Sequence, residues 1–191
     1  ALSFVQMVYN YAIEKKILPK ENNPFDDFQI GSYEQHAEKV KFLEINDLDK
    51  LENTLRTKDL SPDIIAIGWR FLSMCVSGLR ISDALQLNDY EFNDAGNLVI
   101  TPYKTRHYGN IATVPVTSDR QRRYFEMTLQ HPIITNATPK SFRTTFNNKL
   151  KILGAIAGLG TDLHSHVGRH TLGGFIVDAN IDNRSAMSIL G

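Results

Sequence analysis

The amino-acid sequence predicts an α+β protein that is mainly helical and contains one small antiparallel β-sheet. Apolar residues recur at helical spacing through most of the 191 residues. Between Tyr90 and Pro115 the spacing changes to that of short strands. Hydrophobic residues make up 42% of the chain and charged residues 22%, which is ordinary usage for a globular domain. This composition excludes a disordered chain, a collagen-like chain and a coiled-coil array.

The chain is expected to begin with one helix and a linker. Apolar side chains are spaced for a helix over residues 2–17, and Pro19 ends the pattern. Residues 20–41 have no periodicity and contain Asn, Pro and Gly, which is typical of a linker. The predicted organisation is a helix of a preceding domain in residues 1–18, a linker in 19–44 and a main domain in 45–191.

Capping patterns predict the first helices of the main domain. Asn46 is suited to cap the first of them. The pair Ser61–Pro62 is typical of a helix start, and that second helix is expected to end at Gly78. A short helix over residues 81–86 follows directly, so Arg80 is expected at its first turn.

The predicted sheet lies between these helices and the carboxyl-terminal ones. Residues 93–97 have the composition of a turn, and strands are expected over 98–101 and 110–116. Lys104 then lies at the tip of the hairpin that the last two strands form.

Helices resume after the sheet. One is predicted over residues 118–130, and another begins at the Thr138–Pro139 cap. A further helix is expected over 166–179, and a last one begins near Asp182 with Gly191 as its C-terminal glycine.

Apolar runs and cysteine content exclude several protein classes. The longest apolar stretch, residues 64–76, has 13 residues and contains Arg70, so it cannot span a bilayer. The single cysteine, Cys75, excludes an intrachain disulfide framework and a multi-cysteine zinc site. A cytoplasmic location is expected. The chain starts at Ala1 without a signal-peptide pattern, which suggests a fragment of a longer protein.

Charge is balanced overall, with 21 basic and 21 acidic residues, but it is unevenly distributed. Residues 20–63 carry eleven acidic and six basic side chains, whereas residues 102–151 carry nine basic and two acidic ones. The second region could meet a polyanion, although such clusters are more often solvated helix faces. Its candidate contacts to a DNA backbone are Arg106, Arg120, Arg122, Arg123, Lys140, Arg143 and Lys149.

Three histidines and an arginine are concentrated in residues 163–171, LHSHVGRHT. Positions three and four apart share a helix face, so His166, Arg169 and His170 converge on one spot. The three histidines, His164, His166 and His170, suggest a zinc hydrolase. A fourth ligand is not obvious, however, and the Arg169 guanidinium would repel the cation. A surface helix with a salt-bridged arginine is the plainer interpretation of this segment alone.

Two further segments carry basic residues beside a turn. In residues 77–87, SGLRISDALQL, Arg80 follows a glycine break. Asp83 comes one helical turn later and could hold that guanidinium in place. In residues 101–106, TPYKTR, Lys104 occupies the predicted hairpin.

The ordered set Arg80, Lys104, His166 and Arg169 resembles the tyrosine recombinase and integrase family. The features that match are a glycine-leucine-arginine box, a lysine on a β-hairpin, a histidine-x-x-arginine-histidine motif and a leucine-glycine pair at 190–191. The resemblance covers residues 45–191 and implies the catalytic-domain fold of that family. It also implies that residues 1–18 are the last helix of the family's core-binding domain. It also implies DNA recombination or integration by strand breakage and rejoining, in an integrase of a phage or conjugative transposon.

The resemblance also implies roles for these residues. Arg80 and Arg169 would clamp the scissile phosphate, Lys104 would protonate the departing 5′-oxygen, and His166 would handle a proton or bind the phosphate, with Asp83 and His170 in support. No metal or cofactor is implied. Arginine suits a phosphate clamp because its fork is planar, bidentate and always charged. The implied partners are double-stranded DNA and further copies of the protein in a synaptic complex on DNA.

The family's nucleophile is a tyrosine a short way beyond the leucine-glycine pair, and no tyrosine of this chain matches that position. We therefore expect a chain truncated before its nucleophile and unable to cleave DNA. Gly168 stands where the family has an apolar residue or alanine, and its small size would allow a close helix contact. Zero net charge predicts weak and salt-dependent DNA binding by this chain alone.

Two alternatives share parts of this interpretation. A type IB topoisomerase would use the same arginine, lysine and histidine roles without site preference. A non-catalytic DNA-binding relative would keep the fold and the phosphate clamp without ever having a tyrosine, and the residues encoded after Gly191 would distinguish it.

Overall fold

A computed structural model describes residues 2–25, 42–87, 91–104, 106–109, 111–135, 137–160 and 162–182. The chain divides into two compact units, residues 1–40 and 41–191. Most of the predicted linker lies outside the described residues.

The first unit contains helix α1, Leu2–Glu14, and one turn of 3-10 helix, Lys20–Asn22. Helix α1 is shorter than predicted. It ends before Lys16, which has a φ of 56°, a conformation that terminates helical hydrogen bonding. Within this unit the Tyr9 and Phe25 rings pack edge to face, with centroids 5.7 Å apart.

The second unit is built around helix α3, Pro62–Ser77. Helices α2 (Ile45–Thr57), α5 (Asp119–Gln130), α6 (Pro139–Ile156) and α7 (Ser165–Asp178) all pack against α3. Trp69, Phe71 and Leu72 of α3 are completely enclosed. Burying one such side chain contributes about 1.5–3 kcal/mol, and a helix that is apolar on all sides is stable only in this central position.

Local hydrogen bonds set the ends of these helices. Helix α3 begins at Pro62 and ends at Gly78, as predicted, and Gly78 is left-handed with a φ of 68°. The predicted Asn46 cap of α2 is wrong. Glu44 takes the cap position, and its N–H donates to Oδ2 of Asp47 at 3.3 Å. A carboxylate in the first turn satisfies this otherwise orphan donor.

Helix α4, Ile81–Ala84, follows Gly78 closely and is shorter than the predicted 81–86. The Thr138 cap of α6 is as predicted, and Ser118, the predicted first residue of α5, is its cap residue. The backbone N–H of Gln121 donates to the Ser118 hydroxyl at 3.2 Å, and that of Ser141 donates to the Thr138 hydroxyl at 3.3 Å. The last predicted helix, beyond Asp182, lies outside the described residues.

The sheet has three antiparallel strands in the order β1 (Glu91–Phe92), β2 (Leu98–Ile100) and β3 (Ala112–Val114). The register pairs Leu98 with Val114 and Ile100 with Ala112. Both strands of the predicted hairpin are shorter than expected. The connection between β2 and β3 therefore spans residues 101–111 and carries Lys104.

The predicted turn between β1 and β2 is confirmed. The side-chain oxygen of Asn93 accepts from the N–H groups of Ala95 and Asn97 at 3.1 and 3.0 Å, and Gly96 has a φ of 75°. Asn is suited to accept hydrogen bonds from backbone N–H groups of a turn, and Gly is suited to a positive φ.

The described part of the chain is mainly helical with one small antiparallel sheet, so the predicted α+β class is confirmed at this level. Among the helices that can be described, none is both long and apolar enough to cross a bilayer.

Candidate functional site

The left-handed turn at Gly78 brings Arg80 to the surface. Gly78 closes α3 and α4 begins three residues later, so Arg80 occupies the cap position before Ile81. Its side chain is exposed. An exposed arginine thus follows the turn between the two helices.

Arg169 lies against the same turn. Its Nη1 donates a 2.9 Å hydrogen bond to the carbonyl oxygen of Gly78. The side chain is partly buried, and one donor of the fork is committed to the backbone. This bond attaches Arg169 to the turn that precedes Arg80.

Close packing of α7 on α3 makes this hydrogen bond possible. A Cβ atom added to Gly168 would lie 3.1 Å from Cβ of Met74 and 3.3 Å from Cε2 of Phe71. The small size of Gly168 thus permits the approach of the two helices, which confirms the prediction of a close helix contact.

The two arginines influence each other electrostatically. Burial lowers the pKa of Arg169, the positive charge of Arg80 lowers it further, and the carboxylate of Asp83 raises it. Arginine nevertheless stays charged at any physiological pH. The charges of Arg80, Asp83 and Arg169 therefore act on one another in this part of the fold.

Asp83 ties the connection between β2 and β3 to this region. Its carboxylate is buried, and Oδ1 accepts a 2.8 Å hydrogen bond from the backbone N–H of Tyr103 and a 3.4 Å one from the Ser82 hydroxyl. Tyr103 immediately precedes Lys104, whose side chain is exposed. Asp83 was predicted to hold Arg80. The contact to Tyr103 was missed, because nothing in the sequence indicates a side-chain partner twenty positions away.

The three predicted histidines form a cluster at the start of α7. The His166 ring centroid lies 6.2 Å from that of His164 and 6.4 Å from that of His170. His166 and His170 are exposed, and His164 is partly buried. Burial, the two neighbouring imidazoles and Lys151 lower the pKa of His164, whereas Asp162 raises it.

The structure gives the zinc alternative no support. Within the residues that are described, no group of three or more His, Cys, Asp or Glu side chains has an arrangement that could hold a metal ion.

Several of the basic candidates have carboxylate partners within the fold. Arg123 makes a two-pronged contact with Glu52 at 2.8 and 3.1 Å. Arg120 pairs with Asp49 at 2.9 Å, and Lys149 lies 3.7 Å from Asp63. The acidic and basic regions of the sequence thus partly neutralise each other. These three side chains stabilise helix contacts, and we do not include them in the candidate site.

The remaining candidates are exposed. Arg106 stacks over the Tyr103 ring, with its guanidinium carbon 4.2 Å from the ring centroid. This places it on the connection that carries Lys104. Three others are exposed without an assigned role here: Arg122, Lys140 and Arg143.

Comparisons with models of protein families, with curated proteins and with solved structures found no match.

Proposed function

We propose that the site formed by Arg80, Arg169, Lys104 and His166 binds a phosphodiester group of double-stranded DNA. We further propose that the protein is a tyrosine recombinase, an integrase of a mobile genetic element that breaks and rejoins DNA strands. The finer fold assignment, to the catalytic domain of that family, is part of the same proposal.

The observation that carries the proposal is the meeting of three remote segments. Arg169 is hydrogen-bonded to the turn before Arg80, and Asp83 is hydrogen-bonded to the residue before Lys104. His166 lies one helical turn before Arg169 on α7. Chain segments that carry four residues with the chemistry of a phosphate site thus meet in one region of the fold.

This set of groups suits the reaction. A phosphodiester under attack gains charge on its non-bridging oxygens, and fixed guanidinium donors stabilise that charge more in the transition state than in the ground state. In the proposed mechanism Lys104 donates a proton to the departing 5′-oxygen, and His166 binds the phosphate or relays a proton. None of the seven tyrosines in these 191 residues matches the position of the attacking tyrosine in that family.

DNA binding by the arginine pair is the first step to test. We would measure the affinity of a labelled duplex by fluorescence anisotropy at low salt, for the wild-type chain and for Arg80→Ala and Arg169→Ala. Hydrogen bonds to charged groups contribute about 1.5–3 kcal/mol each, so each variant should bind roughly 10- to 100-fold more weakly.

The matched control is Arg56→Ala. Arg56 is an exposed arginine of α2 that pairs with Glu52 and stacks on Trp69. The Arg56→Ala variant should bind DNA with the affinity of the wild type. Thermal unfolding would verify that every variant is folded. Unchanged DNA affinity in both Arg80→Ala and Arg169→Ala would refute the proposal.

A further inference from the structure

The histidine cluster at the start of α7 has a chemistry that the arginine pair does not explain. Its three rings are neighbours, yet only His166 belongs to the proposed phosphate site. His164 is the extended residue before α7 and lies five positions before Arg169 in the sequence. The arginine pair therefore assigns no role to His164 or His170, whereas an anion facing the three rings would.

We propose that His164, His166, His170 and Lys151 form a second anion subsite, which binds the adjacent phosphate of the same DNA strand and takes up a proton as it does so. This inference rests on the proposed function, because the first phosphate must occupy the arginine pair.

The surroundings of the cluster favour an anion. The groups that act on His164 are His166 and His170 of α7, Lys151 of α6 and Asp162 of the connection between these helices. Three of these four groups are cationic or become cationic on protonation. The amino end of the 14-residue helix α7 adds a partial positive charge.

Proton uptake follows from how these groups interact. In the free protein, burial and the neighbouring positive groups disfavour protonation of His164. A phosphate placed against the rings would reverse that balance, because an opposite charge favours the protonated imidazole. Binding must then be tighter at low pH, since a ligand that raises the pKa of a group binds its protonated form better.

The test compares duplex DNA affinity at about pH 5 and about pH 8, the range over which histidine changes its charge. Ionic strength is held constant and a chelator is present. If DNA binding raises the pKa of a single imidazole by one unit, the duplex binds about tenfold more tightly at the lower pH. We expect the DNA affinity of the wild type to increase at least tenfold from about pH 8 to about pH 5, and we call this increase the gain.

His164→Asn should reduce the gain several-fold, and His164→Asn combined with His170→Asn should remove most of it. The matched control is His131→Asn, because His131 follows α5 and is not part of the cluster. It should retain the wild-type gain. As a second readout, histidine ring signals in NMR titrations should show a higher His164 pKa with the DNA duplex than without it.

The outcomes separate the two proposals. Tight DNA binding that is independent of pH, or an unchanged gain in both histidine variants, would overturn the second subsite and leave the arginine pair intact. Failure of the wild type to bind DNA at either pH would overturn the proposed function and the second subsite with it.

Discussion

The Arg169 side chain is hydrogen-bonded at 2.9 Å to the carbonyl oxygen of Gly78, which lies 91 positions earlier in the chain. This bond joins α7 to the turn that precedes Arg80. The position of Arg169 therefore depends on the packing of α7 against α3, and substitutions at that helix contact should change ligand binding at the candidate site.

Two glycines of α7 provide a matched pair for testing this dependence. Alanine at Gly168 would crowd Met74 and Phe71, whereas a Cβ at Gly173 meets nothing within 4 Å. We expect Gly168→Ala to lower the free energy of unfolding by about 1–3 kcal/mol through overpacking and to weaken DNA binding. Gly173→Ala should raise stability by roughly 0.5–1 kcal/mol through helix propensity. Denaturant unfolding measures both, and equal stabilities would contradict the packing account.

Asp83 should fix the segment that carries Lys104. Replacing it by alanine leaves the Tyr103 amide without its acceptor, at a cost of about 1–3 kcal/mol in the free energy of unfolding. Asp83→Asn keeps an acceptor oxygen, so its free energy of unfolding should fall by less. Hydrogen exchange of the Tyr103 amide is the direct measurement. It should be faster in Asp83→Ala than in Asp83→Asn, and equal rates in the wild type and in Asp83→Ala would show that the bond is unimportant.

Glu52 should contribute to the pH dependence of stability. Burial alone would raise its pKa, but hydrogen bonds from Arg123 and Arg56 outweigh burial and hold the pKa below its ordinary value of 4.5. Because the pKa is depressed in the folded state, the ionised carboxylate stabilises the fold above about pH 4.5. That contribution is lost as the pH falls through the lower value of the folded protein.

The variant Glu52→Gln should therefore lose about 1 kcal/mol at neutral pH and show a flatter decline of stability in acid. Chemical unfolding at several acidic pH values measures the slope. Glu126→Gln, which removes an exposed carboxylate of α5, should keep the wild-type slope. If the Glu52 variant keeps it as well, the ion pair with Arg123 has no net effect.

The polypeptide of these 191 residues should form no covalent complex with DNA. All seven tyrosines precede His166 in the sequence, and none matches the family position of the nucleophile. Incubation with a nicked suicide duplex, followed by denaturing electrophoresis, should reveal no adduct. The proposed function requires such a tyrosine for the adduct, so the 191 residues should bind the duplex and leave its strands intact. An adduct formed by the 191 residues alone would contradict the assignment.

The amino-acid sequence by itself determined the helical class, the α3 boundaries and the cap at Thr138. These features depend on hydrogen bonds between residues a few positions apart, and on periodicities that a local pattern displays. The Asn46 prediction was wrong for a related reason. Two polar residues close in sequence compete for one cap, and the choice of Glu44 depends on the exact path of the chain.

Only the tertiary structure decided which basic residues are available to a partner and which are used within the fold. Arg123 and Arg122 are adjacent and identical in type, yet Arg123 contacts Glu52 while Arg122 is exposed. The hydrogen bonds from Arg169 to Gly78 and from Tyr103 to Asp83 are likewise set by helix packing. Contacts between distant segments leave no periodic signal in a sequence, because they depend on how whole elements pack and not on the spacing of neighbouring residues.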